Sequence, residues 1–393
     1  MSLPFLPYTR QSIREGDIRA VSEALQDDII TRGSRVDAFE RVIAEYCGAQ
    51  YAVAFNNGTS ALMAAYFAAN LTPYDRVVST PNSFIATIGS AIHSGIYPHF
   101  GDIDRNTGNL DLHKLKSVLD FHSTRGRLFV VPVHFAGIPV DIQALDRLLR
   151  SQIDFVIIED AAQALGSSYS DGTKVGCCAR SQMTVFSFHP AKIITTGEGG
   201  MVTTNDPELY HRLRLFRNNG IERDPPYLKE EPSPGYYEIH AVTGNYNFTD
   251  FQAALGMSQM RMIDKFIEKR RRLVKQYRNQ LYGILGIKLL TDEFDQMTAF
   301  HLFVVQLNFA RFKTNRTAVM EKLKKVGVGT QVHYIPLYRH PALSNYYPED
   351  IQEQFPEMEG YYAEALSLPL YYDLNESDVE RVCHELKIVL GIN

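Results

Sequence analysis

The chain is expected to be an α/β protein, a large mixed, mostly parallel sheet followed by a smaller α+β C-terminal domain, and two observations predict this. Between residues 51 and 205, short β-branched runs alternate with amphipathic stretches of ten or more residues, which implies strands flanked by helices on both faces of a sheet. The length, 393 residues at roughly 100–200 per domain, asks for two or three cores rather than one. In order, YAVAF at 51–55 leads into a helix at 59–70, 76–79 into 84–94, and 128–133 into 142–150. The run DFVIIED at 154–160 closes the series, and a strand in MTVFSF precedes a glycine-rich turn.

Residues 222–237, rich in proline and charge, read as a long surface loop that serves a function or reaches a neighbour. A helix from 249 to about 285, broken near Asp264, is expected to join a large domain (1–260, including an N-terminal arm) to a small one (261–393). The small domain contains a strand at 301–307, a helix at 314–326, a polar and aromatic segment at 329–341 and a terminal helix at 377–391.

Composition removes several function classes. Hydrophobic residues at 45% and charged residues at 22% are globular values, which excludes a disordered or collagen-like chain. The net charge of −5, with mixed signs, offers no basic footprint for nucleic acid. The four cysteines lack metal or paired spacing and read as reduced thiols, which points to the cytoplasm. The N-terminus carries no basic-then-apolar leader, and no run of 18 apolar residues occurs, so neither export nor a membrane span is expected. No metal site is expected.

Three constellations carry chemistry. The first is Asn56-Asn57-Gly58-Thr59-Ser60, at a strand-to-helix junction where glycine permits the turn and free N–H groups with two hydroxyls suit a phosphate. A hydroxyl there is more commonly just a helix cap. The second is Asp160, ending an apolar run, where a carboxylate either takes a proton or pairs with a cationic partner; capping a following helix is its ordinary alternative. Strand alternation lets only one of Glu159 and Asp160 face the ligand side. The third is Lys192 in FSFHPAKIITTGEGG, a single lysine in a largely uncharged segment. A desolvated lysine loses basicity and can form a Schiff base with a carbonyl; a solvated turn lysine would not. A phosphate site, a buried carboxylate and an activated lysine are together what pyridoxal 5′-phosphate requires.

On NNGTSAL (56–62), TPNSFIAT (80–87), IEDAAQALG (158–166), FSFHPAKIITTGEGG (186–200), GNYNFTDFQAALG (244–256) and QVHYIP (331–336), the chain resembles the DegT/DnrJ/EryC/StrS family of sugar aminotransferases. These have the pyridoxal-phosphate fold type I, the aspartate aminotransferase-like fold. The resemblance implies that Lys192 holds the cofactor's aldehyde and then moves protons between C4′ and the substrate carbon. It implies further that Asp160 pairs with the pyridinium nitrogen, Gln163 lies near the ring oxygen, and Phe84 stacks on the ring. Gly58, Thr59, Ser60 and Ser187 would hold the phosphate, completed across a homodimer interface by Asn245. Two positions depart from the family pattern: Asn247 stands where an arginine is usual, and the common R-x-H-G string reads Arg217-Asn218-Asn219-Gly220. That loses a positive charge and an imidazole from the grip on the amino donor, for which Arg217 or Arg223 is a candidate replacement. Members with histidine in place of the lysine are dehydratases, so Lys192 favours transamination.

The strings TPNSFIATIGSAIHSGIYPHFGDIDRNTGNLD, VPVHFAGIPVD and QVHYIPLYRHP look most like transaminases that aminate C4 of a UDP-4-keto-6-deoxy-N-acetyl hexosamine in pseudaminic acid synthesis. That likeness implies L-glutamate as amino donor. It also implies a sugar-nucleotide site lined by Tyr8, Asp28, Ile29, Ile30, Thr31, His189, His333, Tyr334 and Pro336. The ordinary alternatives are that Tyr8 anchors the arm, that His333 is a satisfied core histidine and that His189 fixes its loop. Another nucleotide-linked 3- or 4-keto sugar, a dehydratase, and a non-catalytic regulatory member are the alternatives.

Overall fold

A computed structural model describes residues 4–120, 126–150 and 154–392. An extended arm leads into helix α1 (Glu15–Ala24) and then α2 (Ser34–Cys47), which stops at Gly48 because the chain turns there with φ of 79°. Strands β1 (Tyr51–Phe55), β2 (Arg76–Ser79), β3 (His99–Phe100), β4 (Leu128–Val131), β5 (Phe155–Asp160), β6 (Met183–Ser187) and β7 (Gly200–Thr204) follow. They build one seven-stranded sheet in the order β1-β7-β6-β5-β4-β2-β3. The pairings from β6 through β3 are parallel, and β7 runs antiparallel to both β1 and β6. The expected mixed, mostly parallel sheet is therefore present.

Helices α3 (Gly58–Ala68), α4 (Ala86–His93), α5 (Leu112–Asp120), α6 (Ile142–Leu149) and α7 (Pro207–Arg217) connect or follow these strands. The period of two along each strand divides its side chains between two cores. On β4, Phe129 and Val131 join α3 and α7 on one face, while Leu128 and Val130 join α5 and α6 on the other. Burial on both faces explains why the strands are continuous apolar runs. The loop expected at 222–237 is pinned at its base by a short hairpin, β8 (Ile221–Glu222) with β9 (Glu238–Ile239).

The long helix breaks as expected, into α8 (Asp250–Met260) and α9 (Ile263–Leu281). Phe266 and Ile267 of α9 pack in the core with α2 and α8, and Leu273, Val274, Tyr277 and Leu281 pack in a second cluster. That cluster lies against an antiparallel sheet of β10 (Ile287–Leu289), β11 (Phe303–Leu307) and β12 (Ala365–Leu368), with α10 (Arg316–Lys325), α11 (Pro356–Glu364) and α12 (Glu376–Leu390) around it. Leu6 of the arm is buried there too, its N–H donating to Gly327 O (2.8 Å) while Gly329 N–H donates to Leu6 O (2.7 Å). All four cysteines are buried and free, and no described helix is long and apolar enough to cross a membrane.

The packing of α2 on α8 is tight at one point. A Cβ on Gly256 would lie 2.6 Å from the fully buried Phe39 ring, which stacks on Phe248 and leans on Phe188. Gly256→Ala should therefore cost about 1–3 kcal/mol by overpacking, seen as a lowered thermal midpoint; an unchanged midpoint would show that the Phe39 cluster yields freely.

Candidate active site

Each chemistry-bearing segment sits just past the end of a strand. After β1, Asn57 caps α3, accepting from Ser60 N–H (2.8 Å), while Ser60 Oγ accepts from Asn57 N–H (3.3 Å) and donates to Asn56 Oδ1 (2.6 Å). The capping role thus falls to Asn57 and Ser60, and the Ser60 hydroxyl is turned into the cap. Gly58 and Thr59 occupy the first turn, whose N–H groups have no carbonyl one turn back, and the helix dipole adds partial positive charge there. Gly58 touches the end of β6: a Cβ on it would lie 3.0 Å from Ser187 Cβ and 3.2 Å from its Oγ. Gly58, Thr59 and Ser187 are therefore brought together, and a side chain at position 58 would crowd Ser187.

At the end of β5 the two carboxylates point to opposite faces. Asp160 Oδ2 accepts from Thr87 Oγ1 (2.6 Å) and its Oδ1 from Ala162 N–H (3.1 Å). Thr87, fully buried on α4 and 2.6 Å from the Ser83 hydroxyl, was not singled out by sequence reasoning, although it closes the TPNSFIAT string. Phe84 stands three residues before it and is 60% exposed. Gln163 Oε1 accepts from Ala136 N–H (2.8 Å), and its Nε2 donates to the Tyr334 hydroxyl (2.9 Å).

Lys192 follows β6 in a loop held by its own backbone: Lys192 N–H donates to His189 O (2.8 Å) and Thr196 N–H to Phe188 O (3.0 Å). Desolvation pulls its ammonium pKa down to about 8, against the opposing attraction of Asp160. A group so placed is substantially neutral near pH 8, as a nucleophilic amine must be. His189 is exposed, and its Nδ1 accepts from Ala191 N–H (3.2 Å), an arrangement that fixes the loop.

The C-terminal half closes over this floor. His333 is buried, its Nδ1 is 2.7 Å from Ser367 Oγ, and Tyr8 of the arm stands 5.7 Å from it, ring to ring. Burial, reinforced by Lys192, holds the His333 imidazole neutral, with its pKa down to about 3. Burial also raises the Tyr334 phenol, with Asp160 and Tyr8 acting in the same direction. Pro336 is buried and starts the turn in which Leu337 N–H donates to Pro81 O (3.0 Å), so it abuts the TPNSFIAT segment. His301 also belongs here and was missed because it lay inside an expected strand. It is 3% exposed with Nδ1 unpartnered, and its imidazole is kept neutral by burial and by Lys192, Arg270, His333 and His189.

Other expected residues lie apart from this group. Asp28, Ile29, Ile30 and Thr31 form an exposed segment on the start of α8, where Asp250 N–H donates to Ile30 O (3.0 Å) and Thr31 bridges Thr249. The exposed Asn245 turns its Oδ1 to Asn247 Nδ2 (2.7 Å), and Asn247 also reaches Asn218 (3.2 Å). Arg217 is spent within the fold, on Glu40 (2.5 Å) and Ala54 O (3.4 Å), and is not available to grip an amino donor. Arg223 lies over the Tyr237 ring, 5.1 Å from its centroid.

Comparison with known proteins gives the group its context. The sequence profile of the DegT/DnrJ/EryC1/StrS aminotransferase family matches residues 11–387. The chain belongs to this family. It is 33% identical over 392 residues to the UDP-4-amino-4,6-dideoxy-N-acetyl-beta-L-altrosamine transaminase of Campylobacter jejuni subsp. jejuni serotype O:23/36, covering 98% of this chain and 97% of that one. It is also 33% identical over 390 residues to the spore coat polysaccharide biosynthesis protein SpsC of Bacillus subtilis (strain 168), with 98% and 97% covered. Among solved structures, Helicobacter pylori PseC, described as an aminotransferase involved in the biosynthesis of pseudoaminic acid, superposes with a TM-score of 0.87 at 28% identity over 98% of this chain and 99% of its own. The protein is an aminotransferase of fold type I, and aminotransferases of this family use pyridoxal phosphate. The donor set fits that group: a desolvated amine, a buried carboxylate, and an open helix N-terminus against a hydroxyl.

The buried imidazoles have a consequence for stability. The folded pKa of His333 is depressed below its unfolded value, near 6.5, so the unfolded chain binds more protons between about pH 6.5 and 3, and stability falls as pH drops through that window. Between pH 7.5 and 5 this one group accounts for about 2 kcal/mol. His333→Gln should flatten the acid limb by that order in denaturant titrations at the two pH values, leaving the share due to His301; an unaltered limb would show that His333 titrates normally.

Proposed function

We propose that the enzyme transfers an amino group from an amino acid, L-glutamate first, to C4 of a UDP-4-keto-6-deoxy-N-acetyl hexosamine. One observation carries the chemical part: Lys192, its amine pulled by desolvation to about pH 8, lies within reach of the charge on Asp160. The sugar assignment rests on the strings shared with the altrosamine transaminases and on the full-length relatives with that name.

When bound, pyridoxal phosphate supplies an electron sink conjugated to the reacting carbon. Asp160, held by Thr87 and Ala162, would sit against the pyridine nitrogen and keep its proton in place. Lys192 would hold the cofactor as its imine partner and, when released, carry a proton at the substrate carbon, a task suited to an amine whose pKa is near the working pH. Gln163 is oriented by Ala136 and Tyr334 to donate near the ring oxygen, and the exposed face of Phe84 would cover the ring. Gly58, Thr59 and Ser187 would receive the phosphate at the start of α3. In a homodimer, Asn245 of the partner subunit would complete the phosphate site, and the exposed segment Asp28, Ile29, Ile30 and Thr31 would line the neighbouring sugar-nucleotide site. Tyr8, His189, His333, Tyr334 and Pro336 would line the sugar side from within the chain.

Lys192→Ala should lower transamination by more than about 10³-fold while leaving the fold intact by circular dichroism. Asp160→Ala should cost about 10²-fold or more, because an unprotonated ring is a poor sink. Near-normal rates in either variant would overturn the assigned role. The substrate is tested by supplying glutamate with UDP-, GDP- and dTDP-linked 3-keto and 4-keto sugars and identifying the aminated product and 2-oxoglutarate. Turnover of a different sugar, as the likeness to SpsC allows, would replace the altrosamine assignment while leaving the chemistry standing.

A further inference from the structure

Glu159 stands next to Asp160 on β5 but faces the other side of the sheet, where it is 1% exposed. Its Oε1 accepts from Thr184 Oγ1 (2.9 Å) and from the Ser181 hydroxyl. Its Oε2 accepts from His134 Nε2 (2.8 Å) and from the Tyr169 hydroxyl. The His134 tautomer follows from its other nitrogen: Nδ1 accepts from Val140 N–H (2.9 Å), so Nε2 carries the hydrogen and donates it to the carboxylate. Desolvation opposes the charge on Glu159, but His134, Ser181 and Tyr169 together outweigh it and hold the carboxyl below its ordinary range.

These donors come from the chain segments that present the candidate active site. Thr184 lies on β6, three residues before Ser187 and eight before Lys192. His134 follows β4, and its backbone N–H donates to Asp160 O (3.1 Å), while Asp160 N–H donates to Pro132 O (2.9 Å). Two residues on, Ala136 N–H holds Gln163 and Ala136 O accepts from His301 N–H (2.9 Å). One buried carboxylate therefore ties the segment after β4 and the end of β5 to the start of β6; Asp160 and Gln163 are set out from the end of β5, and Lys192 from the far end of β6.

We propose that Glu159 and His134 are positioning residues for the cofactor site, acting from the far side of the sheet to fix the spacing of Asp160, Gln163 and Lys192. The inference rests on the assignment of those three residues to pyridoxal phosphate. A 1 Å misplacement of supporting structure is enough to degrade such a site.

The test measures the dissociation constant of pyridoxal phosphate and the induced circular dichroism of the bound cofactor on the full chain. Thr184→Val and Tyr169→Phe each remove one donor and keep the charged carboxylate well bonded, so they should fold; Glu159→Gln leaves two of the four donors facing an amide and is the more severe change. Thr184→Val and Tyr169→Phe should weaken cofactor binding about five- to tenfold and change its dichroism, with a larger effect in Glu159→Gln. Leu386→Ala, in the core of the C-terminal lobe, should lower the thermal midpoint comparably without moving either cofactor readout. Cofactor affinity and dichroism equal to wild type in the donor variants, or a matching loss in Leu386→Ala, would overturn the positioning role. A wild-type chain that does not bind the cofactor at all would instead overturn the functional assignment beneath it.

Discussion

The geometry of the site depends on the alternation of side chains at the end of β5. Two adjacent carboxylates on one strand cannot serve the same face, and here the sheet separates them. Asp160 is delivered to the side of Thr87 and Lys192, and Glu159 to the side of His134 and Thr184. Both are buried, and a buried carboxylate is tolerable only when donors surround it. A one-residue slip of β5 would exchange the two, placing the fully bonded carboxylate where the chemistry is needed. The flanking parallel strands β4 and β6, each buried on both faces, leave no freedom for such a slip.

A second constraint is closure. The seven-stranded sheet supplies the floor of the site, but the walls come from regions distant in sequence. Tyr334 reaches Gln163 across 171 residues, and Asn82 accepts from Tyr334 N–H (3.1 Å). The arm runs along the C-terminal sheet, where Leu370 N–H donates to Tyr8 O (3.0 Å), and so brings Tyr8 to His333. This enclosure is what removes water from Lys192 and the two imidazoles, and the lowered basicity of all three has that common origin.

Charge is handled locally rather than by the molecule as a whole. With a net charge of −5, the protein has no long-range field to draw in a diphosphate. The positive features at the site include a helix N-terminus, the Lys192 side chain and the buried Arg270 that acts on His301. Arg217, one of the two candidates for gripping the amino donor, balances the buried Glu40, whose own carboxyl is raised by desolvation despite that partner. Asn219 adopts φ of 56° beside it, a backbone conformation that asparagine tolerates better than most residues.

The alternating strands and helices of residues 51–204, the break between α8 and α9 and the terminal helix were legible because each is a local periodic pattern closed by turn or cap residues. Lys192, Asp160 and the Gly58 turn were legible because their chemistry needs specific residue types at strand ends. The short β10 and β12 were not, because three or four residues such as ALSL acquire strand character only through pairing with β11. Nor could the sequence tell that Thr87 holds Asp160 or that His301 is buried within reach of the charge on Lys192, since each depends on contacts across tens or hundreds of residues. Residue types and their periodicities determined which chemistry this chain carries and on which elements. Only tertiary packing decided which of two neighbouring carboxylates meets the lysine, which cations remain free, and how far burial moves each proton, because desolvation is a property of the enclosure and not of any one segment.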